Sequence, residues 1–188
     1  MLSYMLFQPE LIATVREETQ AAFEAGGKIN VRFLEEECPR LIGIWNEVIR
    51  LTAYSSSVRY IAEDTFIGGK VLRKGNRLMI PNRHLHLDAN VFGQAVQYFD
   101  SERFVKRRSV LRSLNWRPYG GGATMCPGRY LAKQSVISFV VVLLHSYDIE
   151  LFGHQKFPRL EDGYPVLGIM SSKERDDLLV RISPANRA

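Results

Sequence analysis

The pattern of hydrophobic and polar residues predicts three helices, two of which begin at a proline. In residues 9–23, the positions spaced four apart from Leu11 to Phe23 share one face, which is typical of an amphipathic helix. Proline suits a first helical turn, whose N–H groups need no partner within the helix. A second helix is predicted for residues 39–51 on the same grounds. Residues 130–145 are apolar almost all round, which predicts a buried helix.

Short runs rich in β-forming residues alternate with glycine turns between residues 55 and 81. The runs at 57–62 and 77–80 predict a small antiparallel sheet. Residues 82–118 have little periodicity and predict a long ordered loop with short helices. Two further strands are predicted at 147–151 and 178–182. The fold class expected is mainly α with small antiparallel β-sheets, α+β.

Composition restricts the class of protein. With 188 residues, 46% apolar and 24% charged, the chain is a globular domain or part of one rather than a disordered segment. The net charge of +5 comes from scattered basic residues, and the one dense cluster, 106–108, is short, so we expect no nucleic-acid partner. The longest apolar run is far shorter than the roughly 20 residues of a membrane-spanning helix, so we expect no membrane segment in this chain.

The loop at residues 116–129 carries the chemistry. It has three consecutive glycines, and Cys126 follows them with Pro127 predicted in the first turn of the next helix. Unpaired N–H groups at such a helix start favour a thiolate. One interpretation is a glycine-rich turn with a buried free cysteine. A phosphate loop would need a Lys-Ser/Thr pair, and a zinc site would need further ligands nearby. A lone thiolate suits a cofactor that brings its own remaining ligands, which describes haem.

The same loop resembles the haem-binding signature of the cytochrome P450 family. That signature is an aromatic residue, two positions, glycine, three positions, cysteine, one position and glycine, and it is matched by Tyr119, Gly122, Cys126 and Gly128. Tyr119 replaces the usual phenylalanine. The resemblance implies that these four residues bind haem b, that Cys126 is the axial thiolate on the iron, and that Arg129 lies beside the haem edge.

Two further motifs extend the resemblance upstream. Glu47-Val48-Ile49-Arg50 matches the Glu-x-x-Arg helix motif, whose spacing places both charges on one helix face. Residues 99–104 match the family's Pro-x-Arg-Phe element except for Ser101 at the proline position. The resemblance implies a buried triad of Glu47, Arg50 and Arg103 that ties the helix to the thiolate loop. A buried charge network of this kind fixes geometry more than it stabilises the fold.

Arg59 resembles the family arginine that pairs with a haem propionate, for which a guanidinium fork is well suited. His86-Leu87-Asp88 resembles a structural His-x-Asp element, so neither His84 nor His86 is assigned to a metal. Cys38 lies at a predicted helix start and is interpreted as structural. No catalytic residue is assigned beyond the haem ligand.

The resemblance covers residues 1–188 as the C-terminal part of a haem domain. The N-terminal anchor, most substrate-covering segments and the central oxygen-activating helix are expected to lie outside these residues. The implied function is a haem-thiolate monooxygenase that takes electrons from NADPH-cytochrome P450 reductase. Full-length relatives lie on the cytoplasmic face of the endoplasmic reticulum membrane.

The expected substrate is an apolar small molecule of sterol, terpenoid or polyketide type in secondary metabolism. This follows from a likeness to the branch of bile-acid sterol hydroxylases and related fungal enzymes. Two alternatives stay open: a truncated, inactive remnant, and a haem-thiolate isomerase that needs no reductase. Fold and motif do not fix a substrate.

Overall fold

A computed structural model describes residues 1–161 and 168–185 of the chain. It combines helices with three two-stranded antiparallel sheets, which confirms the predicted fold class. The helices are α1 (Leu2–Leu6), α2 (Pro9–Thr19), α3 (Val31–Glu36), α4 (Pro39–Thr52), α5 (Asn82–His86), α6 (Ala89–Phe92), α7 (Arg103–Lys106) and α8 (Arg129–Ser146). The strands are β1 (Ser56–Tyr60), β2 (Thr65–Ile67), β3 (Lys70–Leu72), β4 (Arg77–Pro81), β5 (Tyr147–Leu151) and β6 (Val180–Pro184).

Helices α2 and α4 begin at Pro9 and Pro39, as the sequence predicts. Helix α2 ends at Thr19 instead of continuing to Phe23, because residues 20–22 tighten into a 3₁₀ turn. Helix α3 was not predicted. It begins at Val31, and its N-cap is Asn30. The Asn30 side-chain oxygen accepts a hydrogen bond from the Phe33 N–H at 3.0 Å, which satisfies one unpaired donor of the first turn.

The main hydrophobic core lies between α2, α3, α4 and α8. Helix α4 is its central element, because ten of its fourteen residues are buried. A second, smaller cluster of buried residues, comprising Phe92, Phe104 and Val110, lies under the irregular segment between β4 and α8. Trp116 is partly buried and packs against both clusters, so it joins them.

The prediction of a buried helix at residues 130–145 is correct for the helix, but only one of its faces is buried. One face of α8, with Ile137, Val140, Val141 and Leu144, is buried in the core. The opposite face is open in the described chain, where Tyr130 is 63% exposed, Leu131 69% and Phe139 61%. An apolar residue on every face signals burial, but only a packing partner determines which face is covered.

The described strands form three separate antiparallel pairs. Strands β1 and β4 pair in the predicted region, with Arg59 opposite Leu78. Strands β2 and β3 form their own hairpin instead of extending that sheet. Strand β5 has its predicted bounds, and β6 is shifted two residues later than predicted, so that Ile149 pairs with Ile182. Among the residues described, no helix is both long and apolar enough to cross a bilayer.

Candidate functional site

Cys126 is exposed and lines an open cavity of about 390 Å³. Its backbone N–H donates to the Tyr119 carbonyl at 3.1 Å, and the Met125 N–H donates to the Gly122 carbonyl at 3.1 Å. Gly122 has φ +66°, a left-handed conformation that favours glycine. The cavity is lined by the segment that leads into β1, by the loop of residues 116–129, called the cysteine loop below, by the start of α8, and by Gly168-Ile169. The loop therefore presents the sulfur toward an open space.

Helix α8 begins later than the sequence predicts. Its first residue is Arg129 and its N-cap is Gly128, so Pro127 precedes the helix instead of occupying its first turn. In this arrangement the Cys126 carbonyl accepts a hydrogen bond from Nη1 of the Arg129 side chain at 2.9 Å. Arg129 also lies over the Tyr130 ring, at 4.3 Å from its centroid. Its guanidinium is on the wall of the Cys126 cavity.

The signature residues around Cys126 shape the cavity. A Cβ on Gly128 would lie 3.9 Å from the Cys126 Sγ, so the glycine keeps one side of the sulfur open. Tyr119 lines the same cavity and is partly buried. Burial raises the pKa of the Tyr119 phenol, and a hydrogen bond with the Trp45 side chain partly offsets this effect. The phenol is therefore neutral at ordinary pH.

Arg59 extends from β1 to the cysteine loop. Its Nη2 donates to the Gly121 carbonyl and to the Thr124 hydroxyl, both at 2.8 Å. Arg59 lines both the Cys126 cavity and a neighbouring cavity. A cationic group thus borders the space in front of the sulfur. Thr124, which helps hold it, was missed by the sequence analysis although it lies two residues before Cys126.

The structure brings Glu47, Arg50 and Arg103 together. Arg50 forms a bidentate pair with Glu47, with Nε–Oε2 at 2.8 Å and Nη2–Oε1 at 2.7 Å. Arg103 Nε lies 3.1 Å from Oε1 of Glu47. Glu47 and Arg50 are fully buried and Arg103 nearly so. A carboxylate at this depth is tolerable because two guanidinium groups surround it.

The remaining donors of this triad bind backbone carbonyls. Arg50 Nη1 donates to the carbonyls of His86 at 3.0 Å and Val96 at 2.7 Å, and Arg103 Nη1 donates to that of Phe92 at 2.6 Å. The triad therefore holds the segment between α5 and α7 against α4. The paired charges act on backbone geometry at some distance from Cys126.

His86 connects this segment to the cysteine loop. The ring is fully buried, and its Nε2 accepts a hydrogen bond from the Arg117 backbone N–H at 3.1 Å. Burial and the nearby Arg50 and Arg83 guanidinium groups lower the pKa of His86 to about 4. The ring is therefore neutral at pH 7 and, since Nε2 accepts, carries its proton on Nδ1. His84, two residues earlier on α5, is exposed, so the two histidines do not share a face.

Aromatic packing and Asp88 reinforce the same connection. Trp116 lies against the rings of His86 and Phe104, with centroids 5.2 and 4.8 Å apart. One Asp88 oxygen accepts from the Asn90 N–H at 2.9 Å at the start of α6, and the other accepts from the Asn115 side chain at 3.0 Å. The start of the cysteine loop is thus anchored to α5 and α6.

Cys38 differs from Cys126 in its exposure. It is buried at the start of α4, and its thiol contacts the Glu18 carbonyl at 3.5 Å. Burial, with the Glu18 and Glu37 carboxylates, raises the pKa of Cys38 to about 12. The Cys38 thiol is therefore neutral, as expected for a cysteine with a structural rather than a chemical role.

The residues around Cys126 fit a haem group. The thiol is accessible, glycines leave open space on one side of it, and an arginine from β1 borders the cavity. Within residues 1–161 and 168–185, no cluster of three or more His, Cys, Asp or Glu side chains is arranged to hold a metal ion. The accessible Cys126 thiol suits a cofactor that brings its remaining ligands with it.

Comparison with known proteins identifies related sequences over most of the chain. The family model described as Cytochrome P450 matches residues 1–180. Cytochrome P450 monooxygenase poxD of Penicillium oxalicum is 33% identical over 159 residues, which cover 79% of this chain and 32% of the relative. Cholesterol 7-alpha-monooxygenase of Cricetulus griseus is 26% identical over 193 residues, which cover 90% of this chain and 38% of the relative.

A solved structure has the same fold. Retinoic acid bound cyanobacterial CYP120A1 superposes with a TM-score of 0.78 at 22% identity, over 97% of this chain and 40% of that one. The chain spans about a third of the length of the curated relatives it matches.

Proposed function

Because the chain belongs to the cytochrome P450 family, we propose that it forms the thiolate-bearing C-terminal part of a haem domain. Haem b is the cofactor, Cys126 its axial thiolate, and the whole protein a monooxygenase. The observation that carries this proposal is the exposed Cys126 thiol in a cavity of about 390 Å³ with Arg59 on its wall.

When bound, haem supplies the iron that activates oxygen, and a thiolate ligand donates electron density to it. The residues of this chain hold that ligand in place. The hydrogen bond from the Cys126 N–H to Tyr119 and the bond from Arg129 to the Cys126 carbonyl fix the backbone on both sides of the sulfur. Gly122 and Gly128 place no side chain beside Arg59 Nη2 and Cys126 Sγ, where an added Cβ would lie 3.9 Å from each atom.

Arg59 binds a haem propionate in this proposal. Its Nη2 is held by Gly121 and Thr124 at 2.8 Å, so the guanidinium is oriented before any ligand arrives. A preoriented guanidinium loses little freedom when it pairs with a carboxylate, and such charge-assisted pairs are among the stronger hydrogen bonds. Arg129, which also lines the Cys126 cavity, would lie beside the haem edge in this proposal.

Glu47, Arg50 and Arg103 have a structural role in the proposed function. They contact α4 and the backbone of residues 86–98 rather than the cavity. They position His86, which in turn holds the start of the cysteine loop. The triad thereby keeps the thiolate in one position through backbone contacts.

An apolar small molecule is the proposed substrate. The support is the likeness to a cholesterol 7-alpha-monooxygenase and to fungal P450 monooxygenases, among them poxD. A sterol, terpenoid or polyketide-like compound of secondary metabolism is the class we infer. Substrate-dependent product formation by the whole protein tests this class.

Electrons come from NADPH-cytochrome P450 reductase in this proposal, with the whole protein on the cytoplasmic face of the endoplasmic reticulum membrane. Lys106, Arg107 and Arg108 are exposed and supply positive charge for an acidic partner. Charge reversal at Arg107 and Arg108 should slow electron transfer at low salt and have less effect at high salt.

A reduced, CO-bound absorption spectrum tests the ligand assignment. The haem-reconstituted chain should have the red-shifted Soret band of thiolate-ligated haem, and Cys126→Ala should lack it. Cys38→Ala is the matched control and should keep it, because Cys38 is buried at the start of α4. A wild-type spectrum without this band, or an unchanged band in Cys126→Ala, overturns the proposal.

A further inference from the structure

A second cavity of about 270 Å³ adjoins the Cys126 cavity. Its lining consists of Ser57, Arg59, Ile80, Arg117, Gly121 and Gly122. Ser57 and Arg59 also line the Cys126 cavity, so the two spaces share a wall. A flat ligand that contacts Cys126 would therefore lie next to a second cavity, which is lined by two arginines.

Neither arginine is neutralised within the described part of the chain. The salt bridges there include neither Arg59 nor Arg117. Two guanidinium groups that line one small cavity repel each other unless an anion lies between them. Their fork geometry matches carboxylates and phosphates.

Arg117 is held in place by contacts at both ends. Its backbone N–H donates to His86 Nε2 at 3.1 Å, and its side-chain Nε donates to the Leu114 carbonyl at 2.7 Å. These two bonds leave both terminal nitrogens of the guanidinium available for a ligand. The side chain is only partly exposed, which limits its freedom further.

Gly121 makes room for this guanidinium. A Cβ on Gly121 would collide with Nη1 of Arg117. The φ of Gly121 is −169°, an extended conformation that any residue adopts, so backbone conformation does not require glycine here. The consecutive residue Gly122 has Arg59 beside it, since its Cβ would lie 3.9 Å from Arg59 Nη2. The two guanidinium groups thus lie against two consecutive glycines.

From these contacts we propose that Arg117 is the second cationic contact for the haem carboxylates, beside Arg59, with Gly121 as the residue that admits it and His86 as a positioning residue. This inference rests on the proposed haem function. The dianionic edge of haem carries two carboxylates, which match two arginines. No other described residue of this cavity wall is charged.

Haem retention and carboxylate selectivity test the proposal without an activity assay. Transfer of haem from the reconstituted chain to excess apomyoglobin gives a dissociation rate, measured with haem and with its dimethyl ester. We expect Arg117→Gln to release haem about tenfold faster, because a charged hydrogen bond is lost. The variant should also discriminate less between the acid and the ester. Arg117→Lys should restore part of that discrimination, and Arg112→Gln, an exposed arginine in the preceding turn, should behave as wild type.

A double-mutant cycle tests the role of Gly121. Gly121→Ala should accelerate haem loss as Arg117→Gln does, since its methyl group displaces the guanidinium. In the Arg117→Gln background, Gly121→Ala should add little, because there is no guanidinium to displace. Additive effects of the two substitutions overturn the assigned role of Gly121.

The spectrum separates failure of this inference from failure of the proposed function. If the thiolate Soret band is present but Arg117→Gln releases haem and its ester as wild type does, only the Arg117 assignment is wrong. If the wild-type chain has no thiolate band, both are wrong. Thermal melting of each variant identifies a folding defect, and Arg117→Lys then decides the question through the ester comparison.

Discussion

His86 Nε2 accepts a hydrogen bond from the Arg117 backbone N–H at 3.1 Å, while the His86 carbonyl accepts from Arg50 Nη1 at 3.0 Å. One buried residue on the short helix α5 therefore joins Arg50, a member of the charge triad, to the start of the cysteine loop. The ring nitrogen does this only when it is unprotonated. The position of the loop is thus tied to the protonation state of one histidine.

Stability should fall as the pH is lowered from about 6.5 to about 4. The pKa of His86 is about 4 in the folded chain, below the ordinary 6.5, so the unfolded chain binds the extra proton in this window. The contribution of neutral His86 is complete above pH 6.5 and amounts to about 3 kcal/mol, lost as the pH falls through the folded pKa. Urea unfolding at each pH measures it.

His86→Gln should flatten this pH dependence, because an amide oxygen accepts a hydrogen bond without titrating in the window. His84→Gln, on the same helix but exposed, should leave the dependence unchanged. An identical pH profile for wild type and His86→Gln contradicts the assignment.

Glu47→Gln should destabilise the chain by about 3–5 kcal/mol, because it leaves the buried guanidinium groups of Arg50 and Arg103 without their carboxylate. Glu36→Gln removes the carboxylate of an exposed pair with Arg32 and should cost less than about 1 kcal/mol. Urea unfolding compares the two. Equal losses would mean that the triad contributes no more than a surface ion pair.

Gly43→Ala should destabilise the contact between α4 and α7. A Cβ there would lie 2.8 Å from Cγ2 of Val105 and 3.3 Å from the Ser101 carbonyl oxygen. Overpacking of this kind costs about 1–3 kcal/mol. Val105→Ala removes the closer atom but not the carbonyl, so the double variant should recover only part of the loss. Full recovery, or none, in thermal melts would be inconsistent with this geometry.

Thr124→Val should increase haem loss a few-fold while leaving the thiolate Soret band in place. The substitution keeps the side-chain shape and removes one of the two oxygens that orient Arg59 on the loop. Thr65→Val, in β2, is a matched control, since that exposed hydroxyl donates to the carbonyl of Glu63, two residues earlier. Haem transfer to apomyoglobin measures both variants, and equal rates would contradict a role for Thr124.

Local patterns made parts of this structure predictable. The Glu47–Arg50 pair follows from i,i+3 spacing on one helix, and the starts of α2 and α4 follow from proline at the first turn. The start of α8 at Arg129 did not follow, because a proline marks a possible first turn but does not fix the residue at which the helix begins.

Contacts between residues that are far apart in the chain could not be predicted from sequence patterns. Arg117 lies within the loop that the sequence analysis singled out, and a cation two residues before Tyr119 was the available signal. Its function depends on His86, 31 residues earlier, and on the space above Gly121. Neither relationship leaves a periodic pattern. The exposed face of α8 was missed for a similar reason, since an evenly apolar helix gives no indication of which side is covered.

Apart from Arg129, the residues described above that hold the cysteine loop precede Cys126 in the chain. The triad, Arg59 and His86 come from residues 47–103, and Arg117 follows them before the cysteine itself. Synthesis proceeds from the N-terminus at about 5–20 residues per second. On the ribosome, the triad, Arg59, His86 and Arg117 are therefore synthesised before the sulfur whose loop they hold, and Arg129 completes the set three residues after it.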